Sequence, residues 1–244
     1  MHRFFIPKPF KQEMQITGRD AHHIMDVLRM VPGDQLQAVA DDGISFVGEI
    51  TATGTNTVNV IARGILRESH EPDVRISLLQ GLAKGEKMEL IIQKAVEIGV
   101  VDIFPLAMNH SVVVLDRSKA GKKTERWQKI AEAAAKQSKR DVIPDVHEVM
   151  TLGQVLQKER WDLLLVAYES ENRISLKEVL QAHKNAKSIG VIIGPEGGLS
   201  NEEVKAAQEA GGIAVSLGRR ILRTETAGLV AAAAILYETD NLGI

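Results

Sequence analysis

The sequence contains no cysteine, which excludes disulfides, thiolate nucleophiles and cysteine-based zinc sites; any catalysis rests on other groups. It also lacks a long apolar run. The longest, residues 227–237, falls short of the ~20 residues that a helix needs to cross a bilayer. The opening segment MHRFFIPKPFKQEM holds no apolar stretch of signal-peptide length, so a soluble, cytoplasmic protein without a membrane partner is expected. Missing too are a G-x-G-x-x-G after an early strand, which argues against a nicotinamide-dependent oxidoreductase, and any Walker loop. There is no internal repeat and no low-complexity segment.

Nor is there an excess of one charge overall, the net value being −2, but the distribution is uneven. Residues 117–140 carry nine basic side chains (Arg117, Lys119, Lys122, Lys123, Arg126, Lys129, Lys136, Lys139, Arg140) against Glu125 and Glu132, a local charge of +7. Few of these have an acidic residue at helical i,i+4 spacing, and phosphates of RNA are their natural counter-ions. A solvated helix face is the plain alternative.

Two rhythms divide the chain. Up to about Leu66, short β-rich runs (residues 35–40, 44–51 and 57–65) alternate with turn signals such as Asp41-Asp42-Gly43, which predicts a small β-barrel. A helix over residues 20–30 interrupts it, with His23, Val27 and Met30 on one face and Ile24 and Leu28 beside them. The polar stretch RESHEPD, residues 67–73, marks a boundary between domains at 1–70 and 74–244. Beyond it, strands (74–80, 101–106, 162–167, 188–193, 213–217) alternate with helices (85–98, one after the basic loop, 175–183, 201–210, 226–239), the signature of an α/β domain with a mostly parallel sheet. The helix over 85–98 carries an apolar stripe of Met88, Ile91, Ile92, Ala95 and Ile98, closed by Gly99; the basic helix turns Trp127, Ile130, Ala131, Ala134 and Ser138 inward.

Chemistry is expected where strands end. Residues 193–200, IGPEGGLS, form a glycine-rich turn into a helix capped by Ser200 with Glu203 three residues on. A phosphate cradle does not suit it: Pro195 removes a donor, and Glu196, Glu202 and Glu203 put negative charge where an anion would sit. A neutral or cationic ligand fits better. Residues 217–227, LGRRILRTETA, follow another strand, with Thr224 or Thr226 as the cap of the last helix, and both turns lie at carboxyl ends, where ligands of open parallel sheets gather. Each segment taken alone is also a plain strand-to-helix turn. His22 and His23, adjacent on a helix, cannot form an i,i+4 metal pair, so no metal is expected; one of them is predicted to help close the barrel core.

GPEGGLS followed by LGRRILRTETA resembles the signature of the SPOUT, or α/β-knot, methyltransferases. Within that class, His22-His23 with Val27-Leu28-Arg29, Lys84-Gly85-Glu86-Lys87-Met88, Gln93-Lys94-Ala95, Glu97-Ile98-Gly99 and Gln137-Ser138 with Arg140 and Pro144 resemble the bacterial 16S ribosomal RNA uridine-N3 methyltransferase family. The sequence departs from the commonest pattern at Arg219, where proline is frequent, and at Lys136, where glutamate is usual.

The resemblance implies a PUA-like RNA-binding β-barrel followed by a SPOUT domain with a deep trefoil knot, a feature that no pattern argument could reach. It implies a homodimer that methylates N3 of one uridine in 16S ribosomal RNA, uridine 1498 of the decoding region, within the small ribosomal subunit, using S-adenosylmethionine and no metal. Methylation of another rRNA or tRNA nucleotide, or a non-catalytic RNA-binding assembly factor, is the alternative. By position, Val166, Tyr168, Glu169, Gly194, Glu196, Gly197, Gly198, Leu199, Leu217, Gly218, Ile221, Leu222, Arg223 and Thr226 would hold the cofactor, with Arg223 and Glu225 as catalytic groups. Arg3, His22, His23, Arg29, Lys84, Lys87, Lys94, Lys122, Lys123, Arg126 and Arg140 would contact RNA.

Overall fold

In the computed structural model, residues 2–66, 69–113 and 115–242 are described, apart from the side chains of Arg117 and Ser118. Arg67 and Glu68 of the expected boundary segment therefore lie outside the described residues. The chain divides into two units, one made of residues up to Glu71 together with Ala135–Val142, the other of Pro72–Ala134 and residues from Ile143 onward.

In the first unit the alternating runs become β1 (Arg3–Ile6), β2 (Glu13–Thr17), β3 (Gln35–Ala40), β4 (Ser45–Gly54) and β5 (Thr57–Ile65). They form one sheet in the order β1-β3-β4-β5-β2, with β1 parallel to β3 and the other pairs antiparallel. Register shifts at Val47/Gly48 and Ile50/Ala52 bend β4 against β5, and the sheet curls around Phe4, Ile6, Ile24, Leu36, Phe46, Ile50 and Val60. The expected barrel is thus an open, curled sheet whose edge strands β1 and β2 are not paired with each other. The predicted helix begins earlier, as α1 (Gly18–His22), and continues as a π-helical turn over His23–Val27. The wider turn rotates later positions off the 3.6-residue face, which leaves Val27 60% exposed while Ala21 and Ile24 are fully buried. The shared face expected for His23, Val27 and Met30 is corrected accordingly.

The segment Ala135–Val142 is fastened to this unit by buried charges. The Arg3 guanidinium pairs with the Asp141 carboxylate and donates to Ser45 Oγ at 2.8 Å and to the Lys139 carbonyl at 2.7 Å. Arg140, its side chain 3% exposed, pairs with Glu71. Burial opposes ionisation of Asp141, but the His70 N–H, the Ser45 hydroxyl and Arg3 outweigh it and hold its carboxyl below the usual range.

The second unit contains β6 (Arg75–Gly81), α2 (Lys87–Ile98), β7 (Asp102–Ala107), the first part of α3 (Arg117–Gln137), β8 (Asp145–Val146), β9 (Met150–Thr151), α4 (Leu152–Lys158), β10 (Leu163–Ala167), α5 (Leu176–Ala182), β11 (Ser188–Ile193), α6 (Asn201–Glu209), β12 (Ile213–Val215) and α7 (Thr224–Glu238). The sheet is parallel throughout, in the order β12-β10-β11-β6-β7-β8, with β9 also against β7. Its central strands bury continuous apolar runs such as Leu163-Leu164-Leu165-Val166, as expected when both faces are covered. The stripe of α2 is buried at Met88, Ile91, Ile92 and Ala95, with Ile98 at its margin, and α3 buries Trp127, Ala131, Ala134 and Ala135. From β10 the chain passes inward to β11 and then back across to β12, so the carboxyl ends of these three strands are neighbours and form a topological switch.

Candidate functional site

At that switch lies a cavity of about 370 Å³, walled by the residues that follow β10, β11 and β12 and by the start of α7. The two glycine-containing turns line the same space. Gly198 has φ +74°, a left-handed conformation that favours glycine, and a Cβ there would lie 2.8 Å from Glu169 Oε1 at the end of the β10 loop's side chain. Ser200 caps α6 as the sequence predicts, in a reciprocal capping box with Glu203.

A buried hydrogen-bond chain ties the walls together. The Thr224 hydroxyl donates to the Gly194 carbonyl at 2.7 Å and accepts from Gln80 Nε2 at 2.8 Å; the same Nε2 donates to the Gly81 carbonyl at 3.0 Å. Thr224 therefore does not cap the last helix with its side chain. Its hydroxyl serves the β11 loop, and the N-cap position falls on Arg223, whose side chain makes no capping bond.

The charged groups are organised around Lys87. Its ammonium lies 3.2 Å from Glu196 Oε1 and 3.3 Å from Glu225 Oε2, and Glu196 Oε1 also accepts the Lys84 backbone N–H at 3.0 Å. The hydrogen bond to Glu196 raises the Lys87 ammonium above its ordinary range against partial burial, with help from Glu225. Burial opposes the charge of Glu196, but the Lys84 N–H, its own N–H and Lys87 win, and its carboxyl is held low. Glu225 is also held low, first by its own backbone N–H at the start of α7, then, against burial, by Lys87 and Arg223. Arg223 Nη1 is 3.9 Å from Glu225 Oε1, with the Arg223 side chain 83% exposed.

Of the residues proposed from sequence for the cofactor, Tyr168, Glu169, Gly194, Glu196, Gly198, Leu199, Leu217, Gly218, Ile221, Leu222 and Arg223 line the cavity, as does Glu225. Three do not. Val166, within β10, is fully buried in the core, Thr226 faces solvent on the first turn of α7, and Gly197 turns toward His110, whose carbonyl would lie 2.9 Å from a Cβ at that position. Lining residues that the sequence reading did not assign to the cofactor include Ile193, Ser216, Thr224 and Ala227. Lys87, expected at RNA, lines the cavity instead, because α2 begins beside the β11 turn; sequence separation of more than a hundred residues hid this.

Among the other residues assigned to RNA, Arg3 and Arg140 are corrected. Both are buried and their charges are satisfied by Asp141 and Glu71, so neither can reach a phosphate. Lys94 is half-exposed and paired with Glu97, Arg126 is paired with Glu89 at 2.8 Å, and Lys123 lies 5.9 Å over the Trp127 ring. Lys84, Lys122 and Arg29 are exposed, the last with φ 55°. His22 and His23 are both exposed, the first paired with Asp26 and the second 6.2 Å from the Phe4 ring, so neither closes the core. The acidic partners of the basic stretch include Glu89, Asp20 (to Lys136) and Glu71 from other parts of the chain, and Asp116, just ahead of the helix, pairs with Lys119 at 3.0 Å. Among the described residues, no group of three or more His, Asp or Glu side chains is arranged to hold a metal ion, and no helix is long and apolar enough to cross a membrane.

The RNA methyltransferase domain family matches residues 70–236, and the RNA methyltransferase PUA domain family matches residues 16–62. The chain is 38% identical to ribosomal RNA small subunit methyltransferase E of Bacillus subtilis, over 99% of its own length and 98% of that protein. It is 32% identical to the protein of the same name from Mycobacterium bovis, over 90% of this chain and 84% of the relative. The crystal structure of ribosomal RNA small subunit methyltransferase E from Neisseria gonorrhoeae bound to S-adenosylmethionine is similar with a TM-score of 0.84, at 31% identity and 97% coverage of both chains.

Proposed function

Because the chain belongs to the ribosomal RNA small subunit methyltransferase E family, we propose that it transfers a methyl group from S-adenosylmethionine to N3 of one uridine in 16S ribosomal RNA. The observation that carries the reading is the cavity at the β10/β11/β12 switch. Its volume falls in the range of roughly 300–1,000 Å³ usual for small-ligand sites, and its inner wall carries the ionised carboxylates of Glu196 and Glu225. A cationic ligand without phosphate fits that wall. The family's trefoil knot, its homodimer, the assembled subunit as substrate and a cytoplasmic location belong to the same proposal.

When bound, S-adenosylmethionine supplies an electrophilic methyl group on a sulfonium sulfur. The backbone of residues 194–199, 217–218 and 221–222 would hold it, with Glu196 as a nearby counter-charge. The acceptor is harder to supply, because N3 of uracil must give up a proton before its lone pair can attack. Arg223, exposed at the cavity wall, would stabilise the negative charge on the uracil ring. Glu225 is a weak base as placed, since its own backbone N–H and Lys87 favour the ionised form; its role is to orient Arg223 and Lys87.

The test is methylation of small ribosomal subunits isolated from a strain that lacks this chain, with labelled S-adenosylmethionine, followed by digestion to nucleosides and mapping. A single 3-methyluridine is expected. Label in another base, or none, would overturn the assignment, and a concentration-independent monomer in sedimentation would remove the dimer.

A further inference from the structure

The loop between β12 and α7 is anchored at both ends and bare in the middle. At its start, the Ser216 N–H donates to the Ile174 carbonyl at 2.8 Å and its carbonyl accepts the Leu176 N–H at 3.2 Å. Its hydroxyl accepts the Gly218 N–H at 3.3 Å, and Gly218, at φ +113°, turns the chain outward through a conformation that L side chains rarely adopt. At the far end the buried Thr224 is fixed to Gly194 and Gln80. Between the anchors Arg219, Arg220 and Arg223 are exposed, as is Ile221 at 89%.

Arg219 and Arg220 differ from the other cations of the cavity. Lys87 is held between two carboxylates and Arg223 lies near Glu225, whereas among the described residues no carboxylate pairs with Arg219 or Arg220. Both line the cavity. Of the acids on the same wall, Glu169 is exposed, while the side chains of Glu196 and Glu225, both paired with Lys87, are 27% and 17% exposed. The wall thus has two regions, the Lys87-paired carboxylates of Glu196 and Glu225 and the exposed guanidiniums of Arg219 and Arg220, with which no carboxylate among the described residues pairs. A cationic cofactor suits the first region and a polyanion the second.

We infer that Arg219 and Arg220 grip the backbone phosphates that flank the nucleotide entering the cavity. The inference rests on the reading that the substrate is RNA. A base methylated at a Watson–Crick position must leave its helix to reach a cavity, which brings its own flanking phosphates to the mouth. Guanidinium groups suit that position, since each can donate two parallel hydrogen bonds to one phosphate, and a loop clamped at both ends loses little freedom on binding. These two arginines set affinity for the strand, while Arg223 acts on the base itself.

The experiment compares the wild type with R219S/R220S and R219K/R220K, using subunits from the strain that lacks the chain, and measures KM and kcat across potassium chloride concentrations and S-adenosylmethionine affinity by calorimetry. For the serine variant KM should rise roughly tenfold, and the slope of log KM against log salt should flatten by about 1.4, the value for two single-strand phosphate contacts at ~0.7 each. The kcat and the cofactor affinity should stay within about twofold, and the lysine variant should restore most of the slope. An unchanged slope overturns the inference, as does a serine variant that loses cofactor affinity instead, which would assign the guanidiniums to the cofactor's carboxylate. Failure of lysine to restore the slope overturns it in favour of a role in loop shape. Absence of RNA methylation by the wild type itself would refute the underlying function, a result distinct from all three.

Discussion

Replacing Thr224 by valine changes almost no volume and removes one hydroxyl. That hydroxyl satisfies the Gly194 carbonyl and accepts one of the two hydrogen bonds of Gln80 Nε2, and both Thr224 and Gln80 are buried, at 7% and 0% exposure. Leaving a buried polar partner unsatisfied costs about 1–3 kcal/mol. Gly194 loses the Thr224 donor, but Gln80 keeps its bond to Gly81, so the sum is nearer one full penalty plus a fraction, about 2–3 kcal/mol. Against a typical total of ~5–15 kcal/mol the variant still folds, with a melting temperature lowered by roughly 5–10 °C. The cavity should suffer more than the fold does. Gly194 and Thr224 belong to different walls, and without the tether a ligand must restore their spacing at its own cost, so S-adenosylmethionine affinity should fall at least about tenfold, or ~1.4 kcal/mol. Thermal melts and calorimetry on T224V and T224S measure both effects, with serine retaining the hydroxyl. If T224S loses as much as T224V, or if T224V keeps wild-type affinity, the tether is not what shapes the cavity.

Three other outcomes are expected. G198V should abolish S-adenosylmethionine binding in a folded protein, because a β-branched residue strains at the left-handed φ of +74° and would displace the Glu169 carboxylate at the cavity wall; calorimetry with circular dichroism checks this. R223M should slow the chemical step by roughly 10²-fold in single-turnover assays with RNA and cofactor saturating, while E225Q should leave the shape of the pH–rate profile unchanged. For Asp102, burial raises the carboxyl, but the hydrogen bond from His147 and the charge of Arg75 outweigh it; with the folded value depressed, the stabilisation is present at neutral pH and lost as pH falls through that value, so the deficit of D102N in thermal melts should be full at pH 7 and narrow below about pH 4.

The parts of the fold legible in the sequence are those with a sustained period. β3, β5 and β11 have the bounds expected from alternation or from a continuous apolar run, and the α2 stripe is buried as its spacing requires. What stayed hidden lacks such a signal. β8 and β9 are two residues each, too short for any period, and α4 follows directly on β9. The π-helical turn at His23–Val27 keeps a helical sequence while changing which side chains face the core. At the site, the two turns could be placed because glycines after buried strands mark carboxyl ends, but the partners of charged residues could not. Arg140 and Asp141 are adjacent in sequence and serve different partners, Glu71 and Arg3, which turns an apparent end of a basic surface into buried structure.

The same distinction bears on the chemistry. A carboxylate near a reacting imide invites the role of general base, and sequence alone leaves that role open for Glu225. Its surroundings argue the other way: a group stabilised as an anion by a helix N-terminus and an ammonium has less tendency to take a proton. On the proposed function, what the cavity offers a uracil is positive charge, from Arg223 beside Glu225 and from the exposed loop that carries it. Catalysis would then work on the acidity of the substrate, lowering the cost of the N3 anion, with the released proton passing to water at the open mouth. The rate should accordingly rise with pH along a single limb set by the imide. A second ionisation near the carboxylate range in the wild-type profile, lost in E225Q, would return the base role to Glu225 and require Lys87 to move away from it when substrate binds.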